Sequence, residues 1–172
     1  MNFSFAATTR RMLGRRDEIS ATWWRWRSLM KALRIRGSGK RESGAFLLGS
    51  CSPSHRRILD FILYDDLDPH CLDTGIVRFD GRRYAQLWRA CEAQNLDVVA
   101  DVHTHPGGAW QSESDRDHPM IAQAGHIAFI VPNFALGSPS REEIGMFRYR
   151  GDRSWESIGI QARSNFLHLG FW

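Results

Sequence analysis

The chain has 172 residues and a mass of 19.8 kDa, which leaves room for one ordinary domain and excludes a second full-sized one. Hydrophobic residues make up 42% and charged residues 24%, a balance typical of a packed globular protein and not of a disordered one. The formal net charge of +4 is too small to indicate nucleic-acid binding, and we expect none.

Residue usage also bears on cellular location. Arginine supplies almost all of the positive charge, since Lys31 and Lys40 are the only lysines; we favour codon bias over avoidance of lysine-directed conjugation chemistry as the reason. The three cysteines form no C-x-x-C pair, so neither a disulfide framework nor a thiolate zinc site is indicated. No apolar run follows the N-terminal arginine pairs, and none reaches the roughly 18 residues of a membrane span. We therefore expect a cytoplasmic protein with reduced thiols.

The first structured element is predicted to be a helix. Residues 1–20 are polar and rich in arginine, so we treat them as an extension and 21–172 as the domain. Between 21 and 35, apolar residues recur in three- and four-residue steps with basic residues between them. A membrane-surface or nucleic-acid helix would have this pattern, as would a helix that packs on the core. We favour core packing, because Gly37-Ser38-Gly39 ends the helix before a strand.

A β-hairpin and a second helix follow. The apolar runs 45–48 and 58–64, joined by Ser52-Pro53-Ser54, indicate two antiparallel strands. The polar stretch 65–75 is predicted to be a loop. Asp80 is suited to cap a helix that extends to about Gln94 and buries an apolar stripe.

The remaining elements indicate the fold class. Residues 98–102 form a buried strand that ends at His103; a short helix is expected at 119–124 with Gly125 as its stop. Strands are expected at 127–131 and 144–149, and the apolar residues 166–172 should pack on the core. Helices mixed with strands in this way predict an α+β domain, in the form of an α/β/α sandwich with a mixed central sheet.

The residues suited to chemistry surround the segment Asp101-Val102-His103-Thr104-His105-Pro106. Side chains two apart on a strand point to the same face, so His103 and His105 can bind one metal ion. Asp115 lies ten residues beyond His105, and a loop of that length can return its carboxylate. Two histidines and one carboxylate leave a coordination position of zinc open for water, as in catalytic sites.

A hydrolytic site of this kind needs a general base outside the metal ligands. Glu42 opens the segment Glu42-Ser43-Gly44-Ala45, which begins a buried strand, and it is the natural candidate. Glu18 is the competing carboxylate, but no buried-strand pattern follows it.

These residues, taken in order, resemble the JAMM (JAB/MPN+) zinc metallopeptidases, of the prokaryotic JAB-domain deconjugase type. The likeness rests on Glu42 before G-A-F-L-L-G, on H-T-H-P at 103–106 and on S-x-x-D at 112–115. It implies a cytidine-deaminase-like JAB/MPN fold, one zinc ion per chain on His103, His105 and Asp115, Glu42 as acid and base, and Ser112 at the oxyanion. Ala45 departs from the glycine that many members have there.

Other residues and classes receive less weight. His118 is interpreted as a rim residue and Asp101 as a neighbour of the ligands; the remaining histidines, which lack a partner at ligand spacing, are interpreted as structural. Barrel phosphoesterases and amidohydrolases also use D-x-H-x-H, but too little chain follows His105 for a barrel of about 250 residues. An inactive scaffold of the MPN− type remains the rival from a different class.

The resemblance also implies a substrate class. Small bacterial relatives of this kind accompany ubiquitin-like conjugation, including antiphage operons of the CBASS and Bil types. We therefore expect cleavage after the C-terminal glycine of a ubiquitin-like protein or its conjugate, with E1/E2-like operon partners. Sulfur-carrier processing and a phage-tail or cell-wall peptidase stay open. Residues 133–142 are too few for a large ubiquitin-clamping insertion, so we expect weak substrate affinity without a partner.

Overall fold

One mixed sheet organises the protein, which we describe from a computed structural model covering residues 18–171. Its eight strands lie in the order β7-β6-β5-β4-β2-β3-β1-β8. The pairs β4–β5, β1–β3 and β1–β8 are parallel, and the other pairs are antiparallel. The strands are β1 (Ile19–Thr22), β2 (Gly44–Ser52), β3 (His55–Leu63), β4 (Asp97–Thr104), β5 (Ile127–Val131), β6 (Gly145–Gly151), β7 (Ser154–Ser157) and β8 (Leu167–Gly170).

Helices cover the two faces of the sheet. They are α1 (Trp23–Gly37), α2 (Tyr64–Leu67), α3 (Tyr84–Gln94), α4 (Glu113–Asp117) and α5 (Ile160–Phe166). Alternate residues of β2 divide between two apolar cores, because Leu47 packs with α1 and Phe46 packs with α3. The predicted α+β class with a mixed sheet is confirmed.

The first helix follows the sequence pattern closely. Its N-cap is Thr22, whose side chain accepts from the amide of Arg25, and it ends where Ser38 adopts a left-handed conformation with φ of 52°. Trp26, Met30 and Leu33 are buried, so the helix packs on the core as expected. Arg25, Arg27, Lys31 and Arg34 are exposed and Arg36 is half-buried, because the apolar stripe occupies the opposite side.

Several elements differ from the prediction. The residues 119–124 are not helical; α4 lies earlier, at Glu113–Asp117, because Ser112 caps it and Pro119 cannot continue it. The strand β1 begins within the predicted extension, so the proposed boundary after Ser20 falls inside a strand. Residues 1–17 of that extension lie outside the described residues. The predicted loop at 65–75 contains the short α2, and β7 was not expected.

The central strands bring distant residues together. In the antiparallel pair of β2 and β4, Gly44 is opposite His103. Hydrogen bonds continue this pairing one residue beyond β2, where Thr104 N donates to Ser43 O and Ser43 N donates to Thr104 Oγ1. Glu42 is therefore brought next to His105.

The helices contain no membrane-spanning candidate. Within residues 18–171, none is both long enough and apolar enough to cross a bilayer.

Candidate metal centre

Three side chains with metal-binding atoms converge at the end of β4. His103 Nε2 lies 2.9 Å from His105 Nε2, and these nitrogens lie 3.3 and 3.2 Å from the two carboxylate oxygens of Asp115. Both histidines are buried, and Asp115 is half-buried. The three ligand atoms lie within 4.8 Å of one another, so the predicted ligand set forms one cluster.

Strand geometry places the two imidazoles on the same side. His103 belongs to β4, and His105 follows it by two residues in extended backbone. The main chain of His105 is fixed on both sides, because its N–H donates to Val131 O and its carbonyl accepts from Phe134 N. The backbone of β5 and the turn that follows it therefore fix the second histidine.

Glu42 lies beside this cluster with one carboxylate oxygen held. Its Oε2 accepts from the amide of Val77 at 3.1 Å, while Oε1 is 4.0 Å from His105 Nε2. Its own amide donates to Gly75 O at 2.9 Å. A single water molecule with two hydrogen bonds spans up to roughly 5.6 Å, so Glu42 is within one water of the centre. The sequence contained no signal for the contact with Val77.

Ser112 reaches the cluster through Asp115. The two residues form a capping box at the start of α4: Ser112 Oγ accepts from the Asp115 amide, and Asp115 Oδ2 accepts from the Ser112 amide at 2.7 Å. The Ser112 hydroxyl also donates to Oδ2 at 2.8 Å. The S-x-x-D pattern therefore has a local structural role, which is to aim the Asp115 carboxylate at the histidines.

Electrostatics couple these groups. Burial of the His103 ring lowers its pKa, but the hydrogen bond and charge of Asp115, aided by the charges of Asp101 and Glu42, outweigh burial and raise the pKa above its usual value. For Asp115, burial raises the pKa, because it disfavours the charged carboxylate. The hydrogen bonds with both histidines outweigh burial and hold the pKa of Asp115 well below the ordinary range. Asp115 is therefore a carboxylate at neutral pH.

The distances in the cluster are compatible with a metal ion. When two imidazole nitrogens face each other at 2.9 Å, their lone pairs repel unless a proton or a cation lies between them. Zinc–nitrogen bonds of about 2.0–2.1 Å in a tetrahedral site place two ligand atoms roughly 3.3 Å apart. The separations of 3.3 and 3.2 Å from Asp115 agree with that value.

A second polar group lies next to the centre, deeper in the sheet. Asp101 is 2% exposed; its Oδ1 is 2.7 Å from His126 Nε2, and its Oδ2 accepts from the hydroxyl of Tyr64 at 3.1 Å. The sequence indicated Asp101 as a neighbour of the ligands but gave His126 no partner. His103 Nδ1 is buried without a hydrogen-bond partner among residues 18–171.

A cavity of about 490 Å³ opens beside the ligands. Asp115 and His103 form part of its wall, and His118 lies at its edge as an exposed side chain, as expected of a rim residue. Its other walls mix polar groups, such as Arg78, Gln111 and Ser114, with apolar side chains, which are Val77, Phe79, Tyr84, Met120, Ile130 and Trp155. A ligand bound in this cavity would lie next to His103 and Asp115.

Comparison with known proteins shows sequence similarity to a metalloprotease over part of the chain. No family sequence profile matches the chain. Over 65 residues the chain is 26% identical to "Probable metalloprotease y4jG" of Sinorhizobium fredii, a match that covers 38% of this chain and 40% of that protein.

Two solution structures share the fold. A protein from Desulfitobacterium hafniense, DSY2949, superposes with a TM-score of 0.61 at 14% identity, covering 82% of this chain and 90% of the other. A protein from Salinibacter ruber gives a TM-score of 0.51 at 20% identity, covering 81% and 88%. The geometry of the centre and the similarity to a metalloprotease both fit a bound metal ion at His103, His105 and Asp115.

Proposed function

We propose that this protein is a zinc-dependent peptidase or isopeptidase of the JAMM type. The observation that carries the proposal is the convergence of His103, His105 and Asp115, with Glu42 Oε1 4.0 Å from His105 Nε2. Glu42 lies 61 residues before His103 in the sequence, and the proximity of its carboxylate to His105 supports a role as general base. The partial relationship to a metalloprotease supports the same chemistry.

The proposal extends to the fold family and the metal. A mixed sheet with α1 on one face and α3 on the other is what a cytidine-deaminase-like JAB/MPN domain would have. His103, His105 and Asp115 would hold one zinc ion, because this donor set is typical of catalytic zinc. When bound, zinc supplies a Lewis acid that activates water and polarises the substrate carbonyl.

In the proposed mechanism, Glu42 moves the proton. Its Oε1 accepts a proton from the attacking water while Oε2 keeps its hydrogen bond with Val77 N–H, so the carboxylate stays oriented. Glu42 then delivers the proton to the leaving amine.

Ser112 is proposed to act at the oxyanion as the carbonyl is attacked. Its hydroxyl donates to Asp115 Oδ2 in the structure, so an oxyanion role requires the hydroxyl to turn toward the substrate. The backbone amide of Ser112 continues to hold Asp115 when the hydroxyl turns, because it donates to the same oxygen at 2.7 Å.

The proposed substrate is the bond after the C-terminal glycine of a ubiquitin-like protein or its conjugate, with E1/E2-like enzymes as partners. This part rests on the resemblance carried by Glu42, H-T-H-P and S-x-x-D. Sulfur-carrier processing and phage-tail or cell-wall peptide cleavage are the alternatives within peptidases.

The experiment combines metal analysis with turnover. We expect wild-type protein to bind one zinc ion and to cleave a fluorogenic peptide ending in Gly-Gly-aminomethylcoumarin. Glu42→Gln should retain the zinc and lose at least about a hundredfold in kcat, because the acid and base step is removed. His105→Ala is the matched control and should lose both. A Glu42→Gln variant with near wild-type turnover would refute the mechanism, and a wild-type protein that binds no zinc would favour an inactive scaffold.

A further inference from the structure

A second cavity lies on the opposite face of the sheet, between α1 and residues 138–142. Its volume is about 660 Å³, larger than the cavity at the metal centre. Trp26, Met30, Ala135 and Leu169 give it an apolar floor. None of the proposed metal ligands lines it, so this groove is distinct from the candidate active site.

The helix wall of the groove carries three cations. Arg27, Lys31 and Arg34 lie four and three residues apart on α1, line the groove and are exposed. Within residues 18–171, none of them makes an ion pair with a carboxylate. The other two arginines of the same helix are neutralised: Arg25 by Asp60, and Arg36 by Asp65 and Asp66. The uncompensated charge of α1 is therefore concentrated along the groove.

The positive charge along the groove does not simply follow from an overall basic composition of the described residues. Four of the 23 basic residues and one of the 19 acidic residues lie in 1–17, so 19 basic and 18 acidic residues remain. Residues 18–172 are therefore almost neutral. Among the residues that line the groove, Glu142 is the only acidic one, and it faces the cations from the opposite wall.

We propose that the groove binds a short acidic peptide segment of a partner protein, with one apolar side chain on the Trp26–Met30 floor. From Arg27 to Arg34 the helix rises about 10.5 Å, roughly the length of three extended peptide residues. An acidic strand that follows the helix would therefore meet each cation in turn.

The chemistry favours a peptide over other occupants. Nucleic acids gain affinity by neutralising many phosphates, whereas this groove has three cations on its helix wall, Arg141 bound to backbone carbonyls on the other wall, one carboxylate and an apolar floor. The chain's own residues 1–17 carry Arg10, Arg11, Arg15 and Arg16, and like charge would oppose their binding here.

The test measures binding by fluorescence anisotropy with the full chain. The probe is fluorescein-labelled Glu-Glu-Leu-Glu-Glu, and Gln-Gln-Leu-Gln-Gln is the neutral control. We expect saturable binding of the acidic peptide that weakens as ionic strength rises from about 0.05 to about 0.5 M, since salt screens exposed charges. The double substitution Lys31→Glu with Arg34→Glu should weaken binding at least about tenfold.

Two further variants make the test specific to the groove. Arg89→Glu with Arg153→Glu reverses two exposed cations outside the groove, makes the same change in net charge, and should keep the affinity within about twofold. Glu142→Gln should tighten binding by about two- to threefold, because it removes the opposing carboxylate.

Three outcomes would overturn the proposal. The first is an equal loss of peptide affinity in the two double variants, and the second is equal binding of the acidic and neutral peptides. The last is displacement of the probe by a single-stranded oligonucleotide at lower concentration than by unlabelled acidic peptide. The last outcome would assign the groove to nucleic acid. Peptide binding here does not require the metal centre, so a failure of either proposal leaves the other to stand alone.

Discussion

At the scale of single residues, hydrogen bonds from outside the ligand set determine how the centre is arranged. Asp115 is oriented by the backbone and hydroxyl of Ser112, and Glu42 by the backbone of Val77. Such supporting contacts fix the direction of a ligand's lone pairs, and their loss typically costs metal affinity or activity. The sequence motif predicts the ligands, and these contacts hold the side chains of Asp115 and Glu42 in place.

Ser112→Ala should weaken zinc binding by about 10- to 100-fold, because the hydroxyl no longer holds Asp115 Oδ2 or caps α4. Competition with a chromophoric chelator measures the affinity. Ser112→Thr keeps a hydroxyl and should stay close to wild type. If zinc saturation restored kcat fully in Ser112→Ala, the serine would serve only to position Asp115, and the proposed oxyanion role would be wrong.

Asp101→Asn should destabilise the protein by about 1–3 kcal/mol, because an amide NH2 replaces one of the two buried carboxylate oxygens that lie against His126 and Tyr64. Tyr64→Phe removes only the second hydrogen bond to Asp101 and should cost about 1 kcal/mol. Urea denaturation of the metal-free proteins provides both values. Equal stabilities for wild type and Asp101→Asn would contradict the importance of this buried pair.

At the scale of elements, the register between β2 and β4 decides which side chains meet at the centre. The pairing of Gly44 with His103 carries Glu42 to the level of His105. Gly44 also permits close packing: a β-carbon there would lie 2.2 Å from the Tyr64 ring and 2.8 Å from Val102 O. The hydroxyl of the same tyrosine donates to Asp101, so β2, α2 and β4 meet at one point beneath the centre.

Gly44→Ala should therefore destabilise the fold by about 1–3 kcal/mol, as expected of an over-packed core, and should displace Tyr64 from Asp101. Gly81→Ala is the matched control, because a β-carbon at that position meets nothing within 4 Å. Thermal unfolding of the two variants provides the comparison. A Gly44→Ala protein as stable as Gly81→Ala would contradict the packing described for β2.

At the scale of the whole molecule, we expect protons and the proposed metal ion to compete for the cluster of His103, His105 and Asp115. The raised pKa of His103 contributes stability that is full below the unfolded value of about 6.5 and is lost as pH rises through the folded pKa. The lowered pKa of Asp115 contributes stability that is full above about 3.9 and is lost as pH falls. The metal-free pair therefore stabilises the protein most between about pH 4 and 6.5.

Zinc should reverse this trend above neutrality, because it binds only deprotonated imidazoles. We expect the difference in Tm between zinc-loaded and EDTA-treated protein to be small at about pH 5.5 and to increase through about pH 8. Differential scanning fluorimetry measures both states. His103→Asn should show no such difference at any pH. A difference that is constant with pH would mean that zinc binds elsewhere.

The sequence by itself picked out the residues that cluster at His103, His105 and Asp115, and it predicted several local elements. The period of α1, the alternation in β4 and the hairpin between β2 and β3 are local patterns, and the structure follows them. The helix predicted at 119–124 was wrong. The S-x-x-D pattern at 112–115 was interpreted only as a motif, although it also caps α4 and so places the helix earlier.

The tertiary structure alone decided how these parts meet. The pairing of Ser43 with Thr104 joins positions 61 residues apart, and the hydrogen bonds of Glu42 with Val77 and of Asp101 with His126 span 35 and 25 residues. The edge pairing of β1 with β8 and the cationic groove beside α1 arise in the same way. Strand register and packing between distant segments depend on the whole core, and local patterns in the chain contain no signal for them.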